Sequence, residues 1–129
     1  MKVLLVNGSS NAHGCTYTAL SEIVYVLEQN GIETEIFQLG KDAIRDCSGC
    51  GYCRENEGCI FKEDVVNKLI EKAKTSDGFI FGSPVYYAHP SGRLLSAMDR
   101  AFYAGGNYFA FKPAAAIVSA RRAGTTASV

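Results

Sequence analysis

Apolar and polar positions along the chain fall into short apolar runs separated by stretches of helical spacing. Lys2-Val3-Leu4-Leu5-Val6 is brief, mostly apolar and β-branched, the pattern of a strand buried on both faces of a parallel sheet. From about Thr16 to Gln29 apolar residues return at helical intervals, with Ala19, Leu20, Ile23, Val24, Val26 and Leu27 on one side. Ser21, Glu22 and Glu28 lie opposite, and Asn30-Gly31 supplies the stop. Glu33 to Leu39 alternates polar and apolar and reads as a half-buried second strand near a sheet edge.

Gly40 to Phe61 has little periodicity. A loop that long inside a small domain is usually functional or tied down by something. Lys62 to Lys74 predicts a second helix with Val65, Val66, Leu69, Ile70 and Ala73 inward, and Phe79-Ile80-Phe81 a third strand. A third helix is expected from about Ser91 to Phe102, with Leu94, Leu95, Met98 and Ala101 inward. An aromatic, glycine-bearing loop, Tyr103 to Phe109, follows, and then a fourth strand from Ala114 to Ser119.

Strands alternating with helices, joined by right-handed crossovers, predict an α/β fold with a doubly wound parallel sheet. Ligands of such sheets lie beyond the C-terminal ends of the strands, where the strand order switches. A further helix and a fifth strand would ordinarily complete the sheet. The expectation is therefore a single domain, residues 1–129, truncated on its C-terminal side.

Composition narrows the function classes. Lys plus Arg is 13 and Asp plus Glu is 13, so no net charge favours nucleic acid as a general partner. No apolar run approaches the roughly 18 residues of a membrane helix, and the N-terminus does not read as a signal peptide. Five cysteines without a secretory signal point to a reducing, cytoplasmic compartment, where cysteines serve as ligands, reactive thiols or core residues.

Three stretches carry candidate chemistry. Asn7-Gly8-Ser9-Ser10-Asn11-Ala12-His13-Gly14-Cys15-Thr16 joins a strand to a helix. Unpaired N–H groups and the helix dipole at such a junction suit a phosphate, although a plain capped turn uses the same residues. Neither Gly-x-x-x-x-Gly-Lys-Ser/Thr nor Gly-x-Gly-x-x-Gly is present, which leaves a terminal monophosphate. Ser83-Pro84-Val85-Tyr86-Tyr87-Ala88-His89-Pro90-Ser91-Gly92 follows strand three. Adjacent aromatics at the mouth of a sheet suit a planar heterocycle, or else one ring packs in the core and the other at the surface. Cys47-x-x-Cys50-x-x-Cys53-x5-Cys59 has the compact spacing of an iron–sulfur ligand set; zinc would accept the same thiolates, and packing thiols would need no metal.

These pieces, with Gly58-Cys59-Ile60-Phe61-Lys62-Glu63-Asp64 and Ser119 to Thr126, resemble the flavodoxin-like, NAD(P)H-dependent FMN reductase family, including its iron–sulfur flavoprotein branch. The resemblance implies strand order 2-1-3-4 and FMN as cofactor. It places the phosphate on Ser9, Ser10, Gly14, Cys15 and Thr16. The isoalloxazine would lie along Pro84, Val85, Tyr86, Tyr87 and Ala88, with further contacts from Ser119, Arg121, Arg122 and Gly124. In iron–sulfur flavoproteins, similar cysteines hold a 4Fe-4S cluster; in other members look-alike cysteines only pack. Cys15 stands where relatives often carry Asn. A phosphate dianion beside it would oppose thiolate formation, so it is not expected to be a redox thiol.

The leading reading is an oxidoreductase that takes hydride from NAD(P)H onto FMN and reduces a small acceptor such as a flavin or quinone. No catalytic side chain is required, because the flavin does the reacting. An iron–sulfur electron carrier using Cys47, Cys50, Cys53 and Cys59 is one alternative, and a non-enzymatic regulatory protein with the same fold is another. Relatives are usually homodimers or homotetramers, and Tyr103 to Phe109 would serve that boundary. His13 reads as a surface imidazole, His89 as a neighbour of the ring, and Asp99-Arg100 as a solvated or interface charge pair.

Overall fold

In the computed structural model, which describes all 129 residues, the first apolar run becomes β1 (Lys2–Asn7). Leu4, Leu5 and Val6 are fully buried, as a central strand covered on both faces requires. The chain then forms α1 (Cys15–Gln29), β2 (Glu33–Gln38), a single 3₁₀ turn at Tyr52–Arg54, and α2 (Val66–Lys74). It continues through β3 (Gly78–Tyr86), β4 (His89–Pro90), α3 (Gly92–Phe109), β5 (Ala114–Ser119) and α4 (Thr125–Ser128).

β1 pairs in parallel with β2 on one side and β3 on the other, Val6 lying opposite Phe37 and Phe81. β3 pairs in parallel with β5. The parallel sheet therefore runs β2-β1-β3-β5, with β4 folded back antiparallel on the end of β3. Apart from that added hairpin strand, this is the order expected from the sequence.

Alternation along β1 sends Leu4 and Val6 to one face, where α2 and α3 close a core with Leu39, Leu69, Ile70, Phe79, Leu94, Ala97 and Ala101. The opposite face carries α1, whose Thr16 and Leu20 are buried. Ala19 and Val26, expected inward, are exposed, as is Tyr25. The alanines Ala114, Ala115 and Ala116 of β5 are exposed as well.

Three local expectations change. Strand three is longer, extending through Ser83, Pro84 and Val85 to Tyr86. α2 begins at Val66, because Asp64 Oδ1 accepts the Val66 N–H at 3.1 Å, while Asp64 Oδ2 is engaged by Arg100 and holds the preceding residues in the loop. The aromatic stretch Tyr103 to Phe109 is helical rather than a loop, although Gly105 leaves helical geometry within it (φ −143°, ψ 21°). A Cβ at Gly105 would stand 2.8 Å from Ile70 Cγ2, so glycine there permits the close α2–α3 approach. Phe109 then packs on Phe79 and Phe102, ring centres 4.6 and 5.0 Å away.

The long segment between β2 and α2 is tied down by two arginines two helical turns apart on α3. Arg93 donates to the carbonyls of Gly40, Lys41 and Asp42. Arg100 donates to the carbonyls of Arg45 and Phe61 at 3.1 and 2.9 Å. With 1 % exposure, Arg100 is a core residue, not the solvated or interface charge expected from the sequence. No helix is long and apolar enough to cross a membrane.

Candidate functional site

The loop after β1 is shaped by a polar network at the ends of β1 and β2. Buried Asn7 donates from Nδ2 to Gln38 Oε1 at 2.6 Å and accepts the Ser9 N–H at Oδ1. Gln38 Nε2 reaches the Ser9 carbonyl at 2.7 Å. Ser9 Oγ accepts the Asn11 N–H, so that hydroxyl shapes the turn. Gly14 then opens α1 with no side-chain cap and no acidic residue in the first turn. The leading N–H groups, those of Cys15, Thr16 and Tyr17, are the ones a helix leaves without intrahelical partners. An anion finds both donors and a favourable dipole there. Thr16 is buried, Ser10 is half-buried, and Cys15 and His13 are exposed.

A serine relay joins this loop to the one after β3. Gly8 donates its N–H to the Gly82 carbonyl at 2.8 Å, and Ser91 Oγ donates to the Gly8 carbonyl at 2.7 Å. Ser83 Oγ accepts the Ser91 N–H at 2.8 Å, and Ser91 Oγ caps α3 by accepting the Leu94 N–H. Beyond Ser83 the chain makes a hairpin, Val85 opposite Pro90 and Tyr86 opposite His89. Its two corner residues, Tyr87 and Ala88, both adopt left-handed backbone angles (φ 51° and 65°), the geometry of a type I′ turn normally given to Asn or Gly. Tyr87 is fully exposed and Tyr86 half-exposed.

The loop after β5 meets this hairpin. Ser119 is in register with Pro84. Gly124, at φ 98°, lies so close that a Cβ would be 2.9 Å from Ala88 Cα and 3.1 Å from Val85 Cγ1. Pro84, Val85, Ala88, Ser119 and Gly124 are thus brought together beyond the C-terminal ends of β3 and β5. Arg121 and Arg122 are exposed beside them.

The cysteine segment forms a cavity of about 500 Å³. Its lining includes Cys47, Cys50, Cys53 and Cys59, with Phe61 and, from α3, Asp99, Arg100 and Tyr103. Cys59 is the most tightly held. Asn67 Oδ1 accepts its N–H at 2.8 Å, Asn67 Nδ2 donates to its carbonyl at 3.0 Å, and Arg100 Nε lies 3.2 Å from its Sγ. Burial works against the Arg100 charge, but hydrogen bonds to Asp64 and Cys59 outweigh it and raise the guanidinium above its ordinary pKa. No three His, Cys, Asp or Glu side chains converge on a single-ion site.

Sequence reading did not find Asn7, Gln38, Asp64, Asn67, Arg93 and Arg100 as site-building residues. Only Arg100 carries a usable signal, a charge next to the inward positions Ala97 and Ala101. The partners of the others lie in distant segments.

Comparison with known proteins agrees with these features. The profile of the family described as NADPH-dependent FMN reductase matches residues 1–129. An iron–sulfur flavoprotein of Methanocaldococcus jannaschii is 37 % identical over 100 residues, covering 78 % of this chain and 51 % of that protein. An iron–sulfur flavoprotein of Archaeoglobus fulgidus is 34 % identical over 109 residues, 84 % of this chain and 53 % of that one. The chain thus spans about half the length of these relatives. Among solved structures, an NAD(P)H:quinone oxidoreductase from Methanothermobacter marburgensis superposes with a TM-score of 0.72 at 21 % identity, covering 95 % of this chain and 65 % of that chain, a likeness of fold. The chain belongs to the NADPH-dependent FMN reductase family.

Proposed function

We propose that this chain is the flavin- and cluster-binding part of an oxidoreductase. In this reading it takes electrons from NAD(P)H onto FMN and relays them through a 4Fe-4S cluster on Cys47, Cys50, Cys53 and Cys59 to a small acceptor. The observation that carries the reading is that all four cysteines line one cavity. A single ion needs its ligands drawn together around one point, whereas a cluster takes one thiolate per iron and needs them spread around a space. The donor set fits a cluster better than it fits zinc.

The residues also fit FMN. The uncapped N-terminus of α1, with no acid in its first turn, suits the phosphate. Gly14, Cys15 and Thr16 would offer backbone donors and Ser10 its hydroxyl, with Ser9 holding the loop's shape. Tyr86 and Tyr87 present ring faces beside Pro84, Val85 and Ala88, with Ser119 and Gly124 closing the far side. Arg121 and Arg122 lie where an added negative charge on the ring, or a nicotinamide nucleotide phosphate, would be met.

Bound FMN would supply the hydride chemistry. This chain's own groups bind and orient; none is needed to donate or accept a proton. α3 links the two regions: its cap Ser91 belongs to the hairpin loop and Arg100 to the cysteine cavity, about 14 Å apart at the rise of a helix. The exposed rings of Tyr103 and Phe111 support assembly as a homo-oligomer.

Titration of the apo-protein with FMN under anaerobic conditions, followed by flavin fluorescence, tests the flavin half of this reading. Stoichiometric quenching followed by bleaching on addition of NADPH or NADH is the expected result. Free flavin fluorescence at every ratio would overturn it.

A further inference from the structure

We propose that Arg100 is a positioning residue for the cluster, donating Nε–H to Cys59 Sγ and thereby raising the cluster's reduction potential. The inference rests on the cluster reading above.

The geometry around Arg100 has more order than a structural anchor needs. Its terminal nitrogens are engaged by the Asp64 carboxylate and the carbonyls of Arg45 and Phe61. Those contacts suffice to tie the loop to α3, and they fix the plane of the guanidinium. The remaining donor, Nε, is left aimed at sulfur, 3.2 Å from Cys59 Sγ. The sulfur is equally constrained, because Asn67 holds the backbone of Cys59 from both sides. Donor and acceptor are each positioned by other partners, so the N–H···S contact is set by the framework and does not depend on either side chain's freedom.

Its consequence follows from charge. Arginine stays protonated in proteins, and this one is buried, where interactions are less screened than at a surface. Asp64 balances much of the long-range charge, which leaves the directed N–H as the stronger local effect. A hydrogen bond to a ligating thiolate withdraws electron density from it and favours the state that carries one more electron. Hydrogen bonds to sulfur are among the factors that set cluster potentials.

The test is an anaerobic redox titration, with dithionite as electron donor, of the reconstituted wild type, Arg100→Lys and Arg100→Gln, monitored by EPR, with iron and sulfide measured on each. Lysine keeps the charge but cannot make the planar set of contacts. At a fixed potential the reduced-to-oxidised ratio should fall about tenfold in Arg100→Gln, equivalent to about 59 mV for one electron, and by less in Arg100→Lys. An unchanged potential in variants that hold a full cluster overturns this proposal and leaves the cluster reading standing. A wild type that takes up no iron overturns both. Should the variants fail to fold, pulsed EPR of the reduced wild type grown with ¹⁵N-arginine decides. A ¹⁵N modulation from one arginine is expected, and its absence overturns the proposal.

Discussion

The side-chain amide of Asn67 brackets Cys59, accepting from its N–H at 2.8 Å and donating to its carbonyl at 3.0 Å. The same Nδ2 also donates to the Phe61 carbonyl at 2.9 Å. One residue of α2 therefore satisfies three backbone groups of the turn that carries Cys59. Asn67→Ala leaves them without protein partners in a half-buried place. A loss of about 1–3 kcal/mol in urea unfolding is expected, with Asn67→Asp losing part of that. A change of only a few tenths would mean that water replaces the amide.

Asp64 and Arg100 form a buried ion pair, with side-chain exposures of 9 % and 0 %. Removing one partner strands the other. Asp64→Ala should cost about 3–5 kcal/mol, whereas replacing both with apolar residues of similar volume should cost much less. Chemical denaturation of the singles and the double variant measures the difference. Equal losses would show that the pair is not what holds the segment.

Both turn residues of the β3–β4 hairpin, Tyr87 and Ala88, are in the left-handed region without being glycine. That conformation costs an L-residue roughly 1–2 kcal/mol, and such strain collects at ligand sites. Ala88→Gly should therefore stabilise the protein by about 1 kcal/mol, read as a rise in melting temperature. A lower melting temperature would contradict the turn geometry.

How much of this was legible in the sequence depends on how local the cause is. β1, the loop after it and the β3 loop are specified by consecutive residues, so Asn7 to Thr16 and Ser83 to Gly92 were readable directly. Strand order followed from alternation and crossover handedness. The helical character of Tyr103 to Phe109 was hidden because glycine and aromatics read as a loop, while the cause of the helix is packing of Gly105 on Ile70 and Phe109 on Phe79. Arg100 was misread for a related reason. Its partners Arg45, Cys59, Phe61 and Asp64 are 36 to 55 positions away, and no spacing rule within α3 reveals them.

Glu35 sits between Lys2 and Lys72, 2.8 and 2.7 Å from their ammonium groups. Hydrogen bonds from Lys2 and then Lys72 hold its carboxyl below the ordinary value, and the hydrogen bond to Glu35 raises Lys2. The depressed carboxyl contributes stability that is present above the ordinary glutamate pKa of about 4.3 and lost as pH falls through its folded value. The raised ammonium contributes below about 10.4 and is lost as pH rises through its folded value. Glu35→Gln should therefore be less stable than wild type at pH 7. The two should converge in thermal melts below about pH 4, and a gap that persists in acid would contradict this assignment.

The central claim is that the four-cysteine cavity holds a cluster and the α1 N-terminus holds FMN. Anaerobic reconstitution with iron, sulfide and FMN, followed by metal, sulfide and flavin analysis with a visible spectrum, tests it most directly. The account predicts about four irons and four sulfides per chain, one FMN, and a brown protein whose broad visible absorption disappears on acid treatment. A protein that binds FMN but stays plain yellow with no bound iron, or that takes up a single zinc instead, would contradict it.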